Sequence, residues 1–281
     1  MTRWLPWLGG VLVLSAGCRK PDSGAAPRPV VEGGSSVPVS ASTSAASAGG
    51  GPALALQRMS EVAVPGLNVE TGVLGRAARW GYSDLALDAQ HTQLRIRLAK
   101  GGAQLADLLS PGALAVVNGG YFEADFRPTT WVVGEGIELS PKADTSRGGV
   151  LALGSMGTYV GPVAGLAFEP VLAVQSFPLV VEAEGKPGIY RDDGRRAART
   201  VACLVRDALH LIVISAPRGD GPTLFETAQL LRAPRPAGFG CRRALNLDGG
   251  PSSGVWFASE VGAKQRAPLA KVAYAIAILP R

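Results

Sequence analysis

From residue 92 onward the chain is a succession of short apolar runs separated by turn residues, and this pattern restricts the fold more than any other feature. TQLRIRL (92–98) alternates apolar and polar residues, as a half-buried strand does. Residues 114–117, 131–133, 150–153, 171–174 and 179–181 are further apolar runs of strand length. Segments 201–205 and 209–215 predict a hairpin across Arg206-Asp207-Ala208, and 245–247 and 272–279 predict two more core strands. Helical signals are few. Residues 104–109 read as a short helix ending before Pro111-Gly112. The stronger helix is 223–231: Thr223 can cap it, Glu226 follows three residues on, and Leu224, Ala228 and Leu231 share a face. Runs of strands with a few helices, and no steady strand–helix alternation, predict an α+β fold. Its mixed or mostly antiparallel sheet would pack with those few helices in a single domain.

At 281 residues, 47% of them hydrophobic and 18% charged, the chain can bury a sizeable core. A net charge of +6 can steer an anionic small molecule, but it is not the dense basic stripe of a nucleic-acid binder, so no nucleic-acid partner is expected. The amino terminus reads as a targeting segment. Arg3 precedes an apolar stretch, 5–14, too short to span a bilayer, and LSAGC (14–18) resembles the lipobox of bacterial lipoproteins. That implies a signal peptide over 1–17, lipid on Cys18 and a membrane attachment through acyl chains. A plain secretory signal is the simpler alternative. Residues 18–52, rich in Ser, Ala, Gly and Pro, read as a disordered tether, and 53–281 as the folded domain. The expected location is the bacterial cell envelope, periplasmic or at the outer surface. Outside the cytoplasm Cys203 and Cys241 can form a disulfide, or else serve as small buried hydrophobes. With His91 and His210 the only histidines, a Cys/His zinc site lacks ligands.

Three segments offer chemistry. In NGGYFEADF (118–126) an apolar strand ends on Asn118, Gly119 and Gly120; the amide both donates and accepts, and Tyr121 can stack on a sugar. An Asn-Gly turn is the simpler account. DGGPSS (248–253) repeats the grammar with a carboxylate, Asp248, then Gly249 and Gly250; Ser252 and Ser253 add hydroxyls and amides suited to a phosphate or sugar oxygen. Asp248 can be a turn cap, a metal ligand, or a general base or nucleophile. In RRAARTVACLV (195–205) Arg199 abuts the strand, where a guanidinium can point into a cleft and hold a phosphate, or remain surface charge.

NGGYF (118–122), QSFPLVVEAEG (175–185), RRAART (195–200), GPTLFETAQLL (221–231) and ALNLDGGPSS (244–253) occur in this order, a series that resembles the phosphodiester glycosidase family. The resemblance covers roughly 85–280 and includes bacterial members often labelled exopolysaccharide-related. It implies a hydrolase that removes a sugar from a sugar-1-phosphodiester, with a phosphodiester-linked or anionic glycan as partner. It maps the family's Asn to Asn118, its strand-start Arg to Arg199 and its carboxylate to Asp248. Glu226 matches the family's helix glutamate, though a cap suits it better. Pro251 stands where the family usually has a third glycine, which removes an amide donor from that loop.

Attack at the anomeric carbon would pass through an oxocarbenium-like state, with Asp248 as base or nucleophile, Arg199 holding the departing phosphate and Asn118 orienting the sugar. Glu123 or Asp125 is a candidate second carboxylate. No cofactor is required by this chemistry, and a divalent cation beside Asp248 stays open. The rival class is a non-catalytic glycan-binding lipoprotein of the cell envelope. Either way, the reading requires Asn118, Arg199 and Asp248 to meet around one hollow.

Overall fold

Tight turns divide the chain into short strands that pair only antiparallel among the described residues of this computed structural model, 56–75, 79–144, 148–216 and 220–281. The expected signal peptide, Cys18 and tether lie outside those residues. The described chain falls within one compact unit, Gly49–Arg281. The strands begin with β1 (Leu56–Val64), β2 (Leu67–Leu74), β3 (Trp80–Leu87), β4 (Thr92–Ala103) and β5 (Ala115–Asn118). Next come β6 (Val132–Gly134), β7 (Ile137–Ser140), β8 (Gly149–Gly154), β9 (Gly157–Gly161), β10 (Pro170–Ser176) and β11 (Leu179–Val181). A hairpin of β12 (Arg199–Val205) and β13 (Ala208–Ser215) precedes α1 (Leu224–Arg232). The last strands are β14 (Arg243–Asn246), β15 (Val255–Phe257) and β16 (Val272–Pro280).

They form a seven-stranded sheet, β1-β2-β3-β13-β12-β14-β11, a five-stranded sheet, β7-β6-β10-β8-β9, and a four-stranded sheet, β15-β5-β16-β4. One core is shared by all three: Leu85, Leu211 and Leu245 from the first, Leu151 and Val174 from the second, Val117 and Ile276 from the third. Strand β13 shows why its sequence reads as an unbroken apolar run. Leu209, Leu211 and Val213 enter that shared core, while Ile212 and Ile214 face a second core with Leu230 and Leu231 of α1, so both faces are buried. Cys203 and Cys241 are joined by a disulfide that ties β12 to the loop after α1.

The α+β expectation is overturned: the molecule is mostly β, and sheets rather than helices cover one another's apolar faces. Among the described residues α1 is the one α-helix, closed by a capping box in which Thr223 and Glu226 satisfy each other's backbone N–H. The second expected helix, 104–109, is only a 3-10 turn, Leu105–Leu108. Its leucines carry the right spacing, but Pro111-Gly112 stops the segment too soon for an α-helix to repay its nucleation. The predicted hairpin is present, with Arg206 at φ 55° in its tight turn. Strands β1 to β3 escape a pattern search because β1 is largely exposed and β2 and β3 bury Glu70, Thr71, Ser83 and Asp84.

Those buried acids form a closed ionic cluster. Arg235 bridges Glu70 at 2.8 Å and Asp84 at 2.5 Å, His210 Nδ1 lies 2.8 Å from Asp84, and the Tyr82 hydroxyl donates to Glu70 at 2.7 Å. Burial works to raise Glu70, but the Tyr82 hydroxyl, Arg235 and Arg58 together hold its carboxyl below the ordinary value.

Candidate active site

The site lies where β5, β12 and β14 end beside one another. Antiparallel pairing of β12 with β14 sets Val201 opposite Asn246, a register that, continued, brings Arg199 opposite Asp248. Past β14 the chain stays attached to its neighbours through Leu247 N–H to Thr200 O at 2.8 Å and Gly250 N–H to Ala198 O at 2.8 Å. The two glycine loops also touch. Asp248 N–H donates to Gly119 O at 3.2 Å, and Asn118 Nδ2 donates to Asp248 O at 2.9 Å. The backbones of Asn118, Arg199 and Asp248 therefore lie close together at one end of the sheet.

Their roles separate on inspection. Asn118 is 1% exposed and its amide is fully engaged: Oδ1 accepts from Thr200 Oγ1 at 2.7 Å and from Gly254 N–H at 3.0 Å, while Nδ2 serves Asp248 O and Gly119 O. With no capacity left for a sugar, it is a positioning residue, which departs from the sugar-orienting role expected of it. Gly119 and Gly120 likewise serve the fold. A Cβ at Gly119 would lie 2.2 Å from the Tyr274 ring, and Gly120 N–H donates to the Tyr274 hydroxyl at 2.8 Å. The close approach that these glycines permit is that of Tyr274.

The Asp248 loop is arranged differently. Gly250 has φ +59° with nothing near its missing side chain, so this corner opens outward. Gly249 N–H caps Asp248 Oδ1 at 2.8 Å. Ser252 and Ser253 donate their amides to Gly249 O and Gly250 O within a 3-10 turn, so those amides are not offered to a ligand. Pro251 is the second residue of that turn and is tolerated there, since an N–H in the first turn has no partner within it. Burial pushes the Asp248 carboxyl up to about 6, against the opposing pull of the Ser252 hydroxyl and Gly249 N–H.

Arg199, 8% exposed, is held by two of its nitrogens: Nε donates to Pro222 O at 3.1 Å and Nη2 to Arg195 O at 3.0 Å. Its Nη1 has no partner among the described residues and faces Gly249, where a Cβ would lie 3.9 Å away. Burial lowers its pKa from the ordinary value, opposed by Tyr121 and Asp193. Tyr121 senses both charges. Burial pushes its hydroxyl up to about 12, with Asp248 adding to the rise and Arg199 opposing it. The hydroxyl accepts from Asn246 Nδ2 at 2.9 Å, leaving its proton to donate, and the ring stacks on Phe177 at 4.5 Å.

Phe177 leads into a cleft of about 1080 Å³ that is also lined by Tyr190, Arg191, Asp193 and Arg243. Glu123 and Asp125 do not join the cluster. Both border a separate exposed hollow, and the carboxyl of Asp125 is held below its usual value by Arg127. Glu226 caps α1 and pairs with Arg196 through two 2.8 Å contacts. No three His, Cys, Asp or Glu side chains among the described residues are grouped to hold a metal. Sequence reasoning missed Asn246, Thr200 and Tyr274. For Asn246 a signal existed, an amide inside an otherwise apolar strand, and its Oδ1 is buried with no partner.

Comparison with known proteins places this geometry. The catalytic domain of zebrafish N-acetylglucosamine-1-phosphodiester alpha-N-acetylglucosaminidase, auto-inhibited by its pro-peptide, shares the fold at a TM-score of 0.58 and 15% identity, covering 83% of this chain and 85% of that one. A hypothetical protein from Synechocystis gives a TM-score of 0.52 at 16% identity; the match covers 82% of this chain but only 62% of the other. A Burkholderia pseudomallei protein gives 0.53 at 15% identity, covering 72% and 74%. No curated protein matches the sequence. A family model described as phosphodiester glycosidase matches residues 111–279, which hold Asn118, Arg199 and Asp248. The chain belongs to the phosphodiester glycosidase family and is a hydrolase of that type.

Proposed function

We propose that this chain is an exported, lipid-anchored enzyme of the cell envelope that removes a sugar from a sugar-1-phosphodiester by attack at the anomeric carbon. The observation that carries the reading is a half-buried carboxyl raised by burial, Asp248, on a loop hydrogen-bonded to the start of β12, where Arg199 keeps one unspent nitrogen, Nη1, that faces Gly249. A carboxyl titrating near 6 is ionised at neutral pH yet more basic than an exposed aspartate, which suits a general base or a nucleophile. As base it takes a proton from water while the water oxygen bonds to the anomeric carbon; as nucleophile its own oxygen forms that bond. In both cases the bond from the anomeric carbon to the phosphate oxygen breaks, and its electron pair leaves with the phosphate. Arg199 Nη1 and the Tyr121 proton stabilise the oxygen that gains charge. A phosphate monoester is already a stable anion, so the step needs no strong general acid. Asn118 and Asn246 act through others, the first by fixing the Asp248 loop and the second by fixing Tyr121.

The test is hydrolysis of a panel of sugar-1-phosphodiesters in ¹⁸O water. The label is expected in the free sugar; label in the phosphate would mean attack at phosphorus and would end this mechanism. Attachment is tested by feeding labelled fatty acid to cells that make the protein with Cys18 or with Cys18→Ser. Label confined to the Cys18 form is expected, and none in either would remove the anchor.

A further inference from the structure

A cleft lined by Phe177, the ring on which Tyr121 stacks, runs beside β11, the edge strand of the seven-stranded sheet, and is also lined by Arg243. Arg243 is the first residue of β14, the strand that leads into the Asp248 loop. The Arg243 guanidinium is half-buried, lies 5.7 Å from the Tyr159 ring, and makes one long hydrogen bond, Nη1 to Val160 O at 3.3 Å. No described carboxylate forms an ion pair with it, although Glu182 and Asp193 also line the cleft, the latter 4.0 Å from Arg195. A guanidinium has five N–H donors, and one held in a cleft wall without a counter-ion has a strong, unmet demand for an anion. Arg191, exposed on the same cleft and likewise without an ion pair among the described residues, adds a second cation. Tyr190, 74% exposed, lines the same cleft and offers a ring face on which a sugar can lie.

We infer that the cleft is an aglycone site for an anionic oligosaccharide, with Arg243 holding a second phosphate or carboxylate group beyond the scissile phosphodiester. The inference rests on the hydrolase reading above. It makes the substrate the end of a chain that carries repeated charges, since a single small alcohol would leave this end of the cleft empty. A cleft of about 1080 Å³ lies at the upper end of the range for small-molecule sites, which suits an aglycone of more than one sugar.

The experiment separates the two readings by measuring binding and turnover independently. In the Asp248→Asn protein, titration calorimetry compares a sugar-1-phosphodiester with a neutral one-sugar aglycone against extended ligands ending in a second phosphodiester or in a uronate. At least tenfold tighter binding of an extended ligand is expected, shrinking as salt rises. Adding Arg243→Gln should bring the affinity ratio close to one, and Arg243→Lys should retain part of it. Arg191→Gln, at an exposed position, should lower it without any effect on folding. Preference for the phosphate arm over the uronate arm, or the reverse, identifies the anion. Equal affinity for short and extended ligands, or a preference that survives Arg243→Gln, overturns the inference. Turnover is read separately in the wild-type protein. If neither compound is hydrolysed while the binding preference holds, the hydrolase reading fails and the anion subsite stands.

Discussion

Two sets of buried charges sit on the seven-stranded sheet, and they are built in opposite ways. Around β2, β3 and β13, Glu70 and Asp84 are paired on every side by Arg235, Arg58, His210 and Tyr82. At the start of β12 and just past β14, half-buried Asp248 and buried Arg199 have capacity left over. One has a carboxyl that burial raises to about 6 and the other an unspent Nη1. The closed cluster holds Glu70 below its ordinary value and secures the fold; the open one stores an unfavourable ionised state at Asp248. Burial alone does not mark a functional site. Incomplete pairing does.

The largest effect that separates the two regions should come from Asp248→Asn. It should cut kcat on a sugar-1-phosphodiester by about 10³-fold or more with the fold intact by circular dichroism. Asp84→Asn should do the reverse, costing about 3 kcal/mol in urea unfolding because Arg235 and His210 lose a buried partner. Its kcat per folded molecule should be unchanged. If Asp84→Asn proves catalytically dead but stable, the division between the clusters is wrong.

The next effect is at the leaving group. Arg199→Lys keeps a charge but cannot make both fixing hydrogen bonds and reach a phosphate, so kcat/KM should fall about 100-fold, roughly 2.7 kcal/mol. A normal kcat/KM would place the guanidinium outside the reaction.

The smallest effect is on stability. Asp248 binds its proton more tightly in the folded state than in the unfolded chain, because its pKa is raised from 3.8 to about 6. The native state is therefore penalised at pH above 6, and the penalty disappears as pH falls towards 4. Asp248→Asn should accordingly stabilise the protein by about 2 kcal/mol at pH 7.5 and by almost nothing at pH 4. Loss of stability at pH 7.5 would mean that the carboxylate is favourably held.

The parts of this arrangement legible in the sequence were those that interrupt a pattern. Asn118 and Asp248 end apolar runs and precede paired glycines, and Arg199 opens one, so each stands out at a strand end. Their supporting residues do not. Thr200 and Tyr274 fit strand composition and gain meaning only when the sheets bring them to Asn118 and Gly120. The glycines were legible as close-approach positions, but sequence could not say that Tyr274 occupies one pair, that Gly249 lies against Ala198, and that Gly250 alone opens outward. The same limit explains the fold class. A leucine-rich segment at 105–108 predicts a helix locally, whereas the sheet-on-sheet core that makes extra helices unnecessary depends on contacts between β5, β16 and strands far away in the chain. The polar residues of β2 and β3 conceal strands because their partners, such as Arg235, lie more than a hundred residues away.

The central claim is that Asp248, held near 6 by burial, must be ionised for the reaction. The most direct test is the pH dependence of kcat/KM for a sugar-1-phosphodiester between pH 4.5 and 8, in the wild-type protein and in the residual activity of Asp248→Asn. The account predicts an acidic limb rising through an apparent pKa of about 6 in the wild type and absent from the variant. A flat wild-type profile across that range, or the same limb in both proteins, would contradict it.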